Sequence, residues 1–137
     1  MSQDIIPSEV ADGELLARFV VRRWWINSDD QTPKQDAFIP PKDLNLSVTR
    51  HTGLSQPELW ERGNDVAVVR GLILYGRADI SALLVRNQAL TVQSAPSARN
   101  RNHAHLSGWP TDKPSQKIIA AELARSAQYV PKQESIR

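Results

Sequence analysis

The sequence contains no cysteine. Disulfide frameworks and thiolate metal sites are thereby excluded, and the absence is compatible with a reducing compartment. Long apolar runs are missing as well, because each of the longest stretches is interrupted by Arg or Gly. The segment from Met1 to Pro7 has no positive stretch leading into an apolar one. The expectation is therefore a soluble, cytoplasmic chain with neither a signal peptide nor a membrane partner. The signatures of the common nucleotide-dependent and hydrolytic classes are also lacking: there is no P-loop, no GxGxxG, no nucleophile elbow and no zinc-finger spacing.

No internal repeat is visible, nor any linker long enough to divide 137 residues into two domains. A single core of this size needs no covalent staple. The domain is expected over 14–130, with 1–13 as an N-terminal arm and 131–137 as a flexible tail. Charge is distributed unevenly. Residues 1–43 carry five basic and eight acidic side chains, net −3, whereas 44–137 carry twelve and seven, net +5. An excess of cations in the later two thirds suits a phosphate-bearing or acidic partner.

Residues 15–26, LLARFVVRRWWI, are rich in aromatic and β-branched types and predict a strand whose buried face is ambiguous. Arg22-Arg23-Trp24-Trp25 at its end combines guanidinium with indole, as a nucleic-acid platform does; the same residues also suit core indoles beside snorkelling arginines. Residues 27–43 hold three prolines and four aspartates and predict a long loop anchored by Phe38 and Ile39. Leu44, Leu46 and Val48 alternate with polar residues, which predicts a strand with those three side chains inward. Ser55-Gln56-Pro57-Glu58 is a capping box that opens a short helix, expected to stop at Gly63. Residues 65–75, DVAVVRGLILY, predict a buried strand, with a helical turn at 65–70 as the alternative. Asp79 is the expected N-cap of a second helix bearing Ile80, Leu83 and Leu84 inward, and Leu90 to Gln93 a further strand, so a parallel crossover is permitted.

The most informative stretch runs from Asn100 through Pro110. His103 and His105 alternate with Ala104 and Leu106, which on a strand places both imidazoles on one face and the apolar residues on the core face. A helix then begins near Pro114, capped by Thr111 or Asp112, with Ile119, Leu123, Ala127, Ala120 and Ala124 as its buried stripe and Val130-Pro131 as its end. The fold expected from all this is α+β: a mixed or mainly antiparallel sheet of about five strands, two or three helices, and a packed C-terminal helix.

His51 follows a strand and is the only other histidine. Paired with His103 or His105 it would supply a general base and acid for metal-independent phosphodiester cleavage, with Arg50 or Lys113 stabilising developing charge. His-x-His on a strand also suits a metal, but a third ligand is not identified beyond Asp79 or Asp112, and no metal or other cofactor is expected. Lys113 and Lys117 sit at the start of a helix, where the dipole disfavours cations by roughly 0.3–1 kcal/mol each. A docked anion would relieve that, and Arg99 and Arg101 in the preceding loop bring 85–125 to net +4. The leading expectation is a small RNA-binding or RNA-cleaving domain with Arg50, His51, His103 and His105 as its site and Lys113, Lys117, Arg99 and Arg101 as anion ligands. The alternative is a non-catalytic protein-interaction module, an adaptor or accessory subunit, anchored by Trp24, Trp25, Trp60 or Trp109.

Two short resemblances complete the reading. Val48-Thr49-Arg50-His51-Thr52-Gly53, followed by a short helix and Gly63, resembles the strand–His–Thr/Gly–helix–Gly opening of ADP-ribosyltransferase-like folds. That resemblance implies NAD binding with His51 as the contacting residue, although the later Tyr and catalytic Glu have no clear counterpart. Thr52-Gly53-Leu54-Ser55, Leu59 and Gly63 are similar to half of a helix-turn-helix, but no basic recognition helix follows.

Overall fold

The computed structural model describes residues 6–132, and all structural statements refer to these. Six strands form one antiparallel sheet in the order β6-β7-β4-β1-β5-β8. They are β1 (Leu15–Val20), β4 (Leu46–Arg50), β5 (Gly76–Ser81), β6 (Thr91–Ser94), β7 (His103–Ser107) and β8 (Gln128–Pro131). β2 (Ile26–Asn27) and β3 (Thr32–Pro33) make a separate two-stranded ribbon. The α+β class and the single domain are as expected; the sheet has six strands rather than about five, and its pairings are antiparallel. The parallel crossover permitted by 65–94 is absent among the described residues.

Helix α1 (Gln56–Arg70) is a correction to the reading of 56–75. The Ser55–Glu58 capping box forms as expected, but the helix does not stop at Gly63. Gly63 is a packing position: a Cβ there would lie 2.8 Å from two Phe19 ring atoms. The true stop is Gly71, which takes the left-handed conformation at φ 68° and closes the helix on the Ala67 and Val68 carbonyls. Val68 and Val69 are thus exposed helix residues instead of core strand residues. Tertiary packing of Leu59, Gly63 and Ala67 on β1 overrides the β-propensity of the valines.

The next stretch is also corrected. Asp79 caps no helix; it lies within β5, opposite Ala17. Ser81 caps α2 (Ala82–Arg86), accepting from Leu84 N–H, and Leu83 and Leu84 face outward. The strand read over 15–26 ends at Val20, and a 3-10 turn occupies Arg23–Trp25. Leu44 has a left-handed φ of 60°, so β4 begins only at Leu46. The long loop does anchor through a fully buried Phe38, with Ile39 packed beside it.

Helix α3 (Lys113–Ser126) starts on Asp112 and buries Gln116, Ala120, Leu123 and Ala124. It ends four residues before the expected Val130-Pro131, which instead pair in β8 with Gly76 and Arg77. Of the tail expected at 131–137, residues 133–137 lie outside the described residues, as do 1–5 of the arm.

The two faces of the sheet serve different ends. One face carries Leu16, Leu46, Val48, Ala78, Ile80, Val92, Ala104 and Leu106 against α2, α3 and the Phe38 turn. Each fully buried Leu, Ile or Phe contributes about 1.5–3 kcal/mol there. The other face is covered by α1 over β1, where Ala17 and Phe19 meet Leu59 and Ala67, and over β5, where Arg77 meets Gln56 and Trp60. Beyond β4 it is polar: Ser47, Thr91 and Gln93 are exposed and His103, His105 and Ser107 half-exposed. No helix among the described residues is long and apolar enough to cross a membrane.

Candidate functional site

The register of β4 with β7 sets Thr49 opposite His103 and Ser47 opposite His105. Period-two alternation then brings both imidazoles to the polar face, edge to face with ring centroids 4.7 Å apart. His103 Nδ1 lies 2.9 Å from the Ala95 carbonyl, which only accepts, so Nδ1 carries the proton and Nε2 is left for a ligand. His105 titrates below the usual histidine value, first because it is partly buried and second because of the neighbouring His103 charge; Asp43 opposes the shift. Charge on His103 thus disfavours charge on His105.

The loop joining β6 to β7 carries Arg99 and Arg101, both exposed. It is anchored by two asparagines absent from the sequence-based site. Asn100 donates to Thr49 Oγ1 at 2.9 Å, and Asn102 Nδ2 to the carbonyls of Arg50 and Thr52 at 2.9 and 2.6 Å. The Asn-Arg-Asn spacing is the signal that could have found them, since alternate residues turn inward while the arginine between them turns out. A cavity of ≈ 380 Å³ opens between this loop and α1, lined by Arg99, Asp65, Val68 and Val69.

His51 is not brought to this pair. Its Nε2 meets Asp79 Oδ1 at 3.0 Å on β5, on the far side of β1. Across this face the order is His103, Thr49, Ala17, Asp79. Three strand spacings, about 14 Å, therefore separate His103 from the group that holds His51. Asp79 also accepts from Arg77 Nε, at 3.1 Å to each oxygen, and Arg77 Nη2 donates to Gln56 at 2.7 Å. The Arg77 guanidinium stacks on Trp60, 4.6 Å from the ring centroid. This second polar cluster joins α1 to β5.

Arg50 is not at the imidazoles either. It is fully buried on the opposite face, and Glu14 accepts two bonds from it at 2.9 Å. Arg50 Nη1 also donates to the Pro7 carbonyl at 2.6 Å and to Ser94 Oγ at 3.2 Å. The arm, β1, β4 and β6 are thereby tied together.

Lys113 and Lys117 are exposed at the start of α3, which packs on the apolar face. They follow the C-terminal end of β7, whereas Arg99 and Arg101 precede its N-terminal end. The four expected anion ligands therefore do not form one patch. The helix start already has an anion, because Asp112 Oδ2 accepts from the Ser115 N–H at 2.9 Å. Hydrogen bonds to the Ser115 side chain and backbone hold that carboxyl below its usual value.

Of the tryptophans, Trp109 is buried and donates to the Leu106 carbonyl, while Trp25 and Trp60 are half-buried against the core. Trp24 is 59% exposed. No group of three or more His, Asp or Glu side chains among the described residues is placed to hold a metal ion. No protein-family model matches the chain, and no curated protein or solved structure matches it either.

Proposed function

We propose that the protein binds single-stranded RNA across the open half of its sheet, with His103 and His105 as stacking and hydrogen-bonding groups and Arg99 and Arg101 as phosphate ligands. The carrying observation is the edge-to-face imidazole pair on a polar, uncovered sheet face. Unpaired bases stack on histidine rings as on other aromatic rings, and their edges find partners in Ser47, Gln93 and Ser107. Neither Arg99 nor Arg101 is in an ion pair among the described residues, so both are free to meet phosphate. Arg50, Lys113 and Lys117 have no part in this version of the site, and His51 stands aside from it.

The same pair has the chemistry for cleavage. One neutral imidazole takes the proton of the ribose 2′-hydroxyl as its oxygen attacks phosphorus; the P–O5′ bond breaks, and the other ring, protonated, gives its proton to the leaving oxygen. The products are a 2′,3′-cyclic phosphate and a 5′-hydroxyl end.

The test is fluorescence anisotropy of a labelled oligouridylate across a salt series. Two phosphate contacts predict a slope of log affinity against log salt of roughly −1.4. Arg101→Glu should flatten the slope and weaken binding, and His103→Ala and His105→Ala should each weaken binding without moving the melting transition much. No binding at low salt refutes the reading; binding with the strand left intact refutes only cleavage.

A second reading, a protein-interaction module, is favoured by Val68 and Val69, exposed by 76% and 62% on the part of α1 that faces the β6–β7 loop. It predicts co-elution with a protein partner and no dependence on the histidines.

A further inference from the structure

Where β1 ends, the chain turns through Arg22-Arg23-Trp24 and meets the segment that leads from Gly71 into β5. Between them lies a pocket of ≈ 360 Å³, lined chiefly by Arg22, Arg23, Trp24, Leu72, Ile73 and Tyr75. That volume is within the roughly 300–1,000 Å³ typical of small-molecule sites. Two guanidinium–aromatic pairs stand side by side in it. Arg22 lies over Trp24 with 5.6 Å to the ring centroid, and Arg23 lies over Tyr75 with 5.8 Å. No acidic side chain lines the pocket, and neither arginine is in an ion pair among the described residues.

This combination restricts what the pocket fits. A bare anion would use the guanidinium groups and leave Trp24 and the 64%-exposed Ile73 in water. A purely apolar ligand would bury one or both arginines without a counter-charge, which is costly. A ligand with a flat π face and an attached anion satisfies both halves: the face stacks on indole, and the anion takes charge-assisted bonds from guanidinium. Each arginine already lies over a ring, so less side-chain freedom is lost on binding.

We infer that this pocket takes a nucleoside monophosphate unit, its base stacked on the open face of Trp24 and its phosphate held by Arg22 and Arg23. The unit is either a free nucleotide or one unpaired residue of a strand. The site stands apart from the imidazole face, since Trp24 and Tyr75 lie on the β5 side of β1 and the histidines on the β4 side. It does not depend on that face binding RNA.

The test is a titration of the intact chain with AMP, followed by tryptophan fluorescence. A saturable quench is expected. Trp24→Leu should abolish it while leaving the melting temperature unchanged, because the indole is largely exposed. Arg23→Gln should weaken binding about tenfold or more, as should replacing AMP with adenosine, since both remove a charge-assisted contact. His103→Ala, which weakens oligonucleotide binding if the sheet face is an RNA site, should leave AMP binding untouched. Competition by oligoadenylate identifies a strand residue as the natural occupant; AMP binding without that competition identifies a free nucleotide. The inference is overturned by no saturable response at millimolar AMP, by an equal response in Trp24→Leu, or by affinity indifferent to the phosphate and to Arg23. Saturable binding of an acidic apolar peptide in place of AMP overturns it as well.

Discussion

Arg50→Ala is the most informative single perturbation, because it separates a structural arginine from the catalytic one that its position beside His51 suggests. The wild-type guanidinium is fully buried, makes a two-pronged pair with Glu14, and donates to Pro7 and Ser94. Removing it leaves the Glu14 carboxylate, only 14% exposed, with a charge and no cation. Breaking one partner of such a buried pair costs about 3–5 kcal/mol. For a chain of this length that corresponds to a fall in Tm of about 10–20 °C. Urea unfolding followed by tryptophan fluorescence reads the loss directly. A cycle with Glu14→Gln sharpens the assignment: Arg50→Met with Glu14→Gln should cost less than the sum of the two single changes by about 1–3 kcal/mol.

The pH dependence gives an independent check. Burial disfavours the ionised form of Glu14, but hydrogen bonds from Arg50, the Ala11 N–H and Thr52, with the Arg50 charge, outweigh it and hold the carboxyl below its ordinary value of 4.5. A folded value below the unfolded one means that this contribution is complete above pH 4.5 and is lost as pH falls through the folded value. The gap in stability between wild type and Arg50→Ala should therefore narrow on acidification below 4.5. An Arg50→Ala protein within about 1 kcal/mol of wild type at neutral pH would falsify the structural role.

Gly76→Ala should strip β8 from the sheet edge, because a Cβ there falls 2.4 Å from Tyr129 Oη and 2.6 Å from the Val130 carbonyl oxygen. The expected loss is about 1–3 kcal/mol, with faster amide exchange over 128–131 and little change in β4 and β7; unchanged exchange at that edge would count against the packing described. His105 is held neutral to a lower pH in the folded chain than in the unfolded one, so unfolding exposes a ring that binds a proton more readily. Stability should fall as pH drops through the ordinary histidine value of 6.5, and His105→Gln should lessen that fall; an identical pH profile in the variant refutes the environment assigned to the ring.

The His-x-His alternation was legible from Asn102 to Ser107, because a half-buried strand writes its two faces into the sequence with period two. The α3 stripe, its cap to within Thr111 or Asp112, and the Ser55–Glu58 box were legible for the same reason: each rests on neighbours within one or two turns. The α1 segment was not, since Gly63 carries two opposite local meanings, a stop or a contact, and only the Phe19 ring across the sheet decides between them. Likewise, neither the partner that draws His51 to Asp79 nor the Glu14 that captures Arg50 leaves a local trace. Those pairs lie 28 and 36 residues apart and meet only through the order of β4, β1 and β5. Local periodicity alone was enough to assign the two faces of β7 and the buried stripe of α3. Which faces meet follows only from the folded chain, because strand order is set by core packing summed over all of it, and no short window contains that sum.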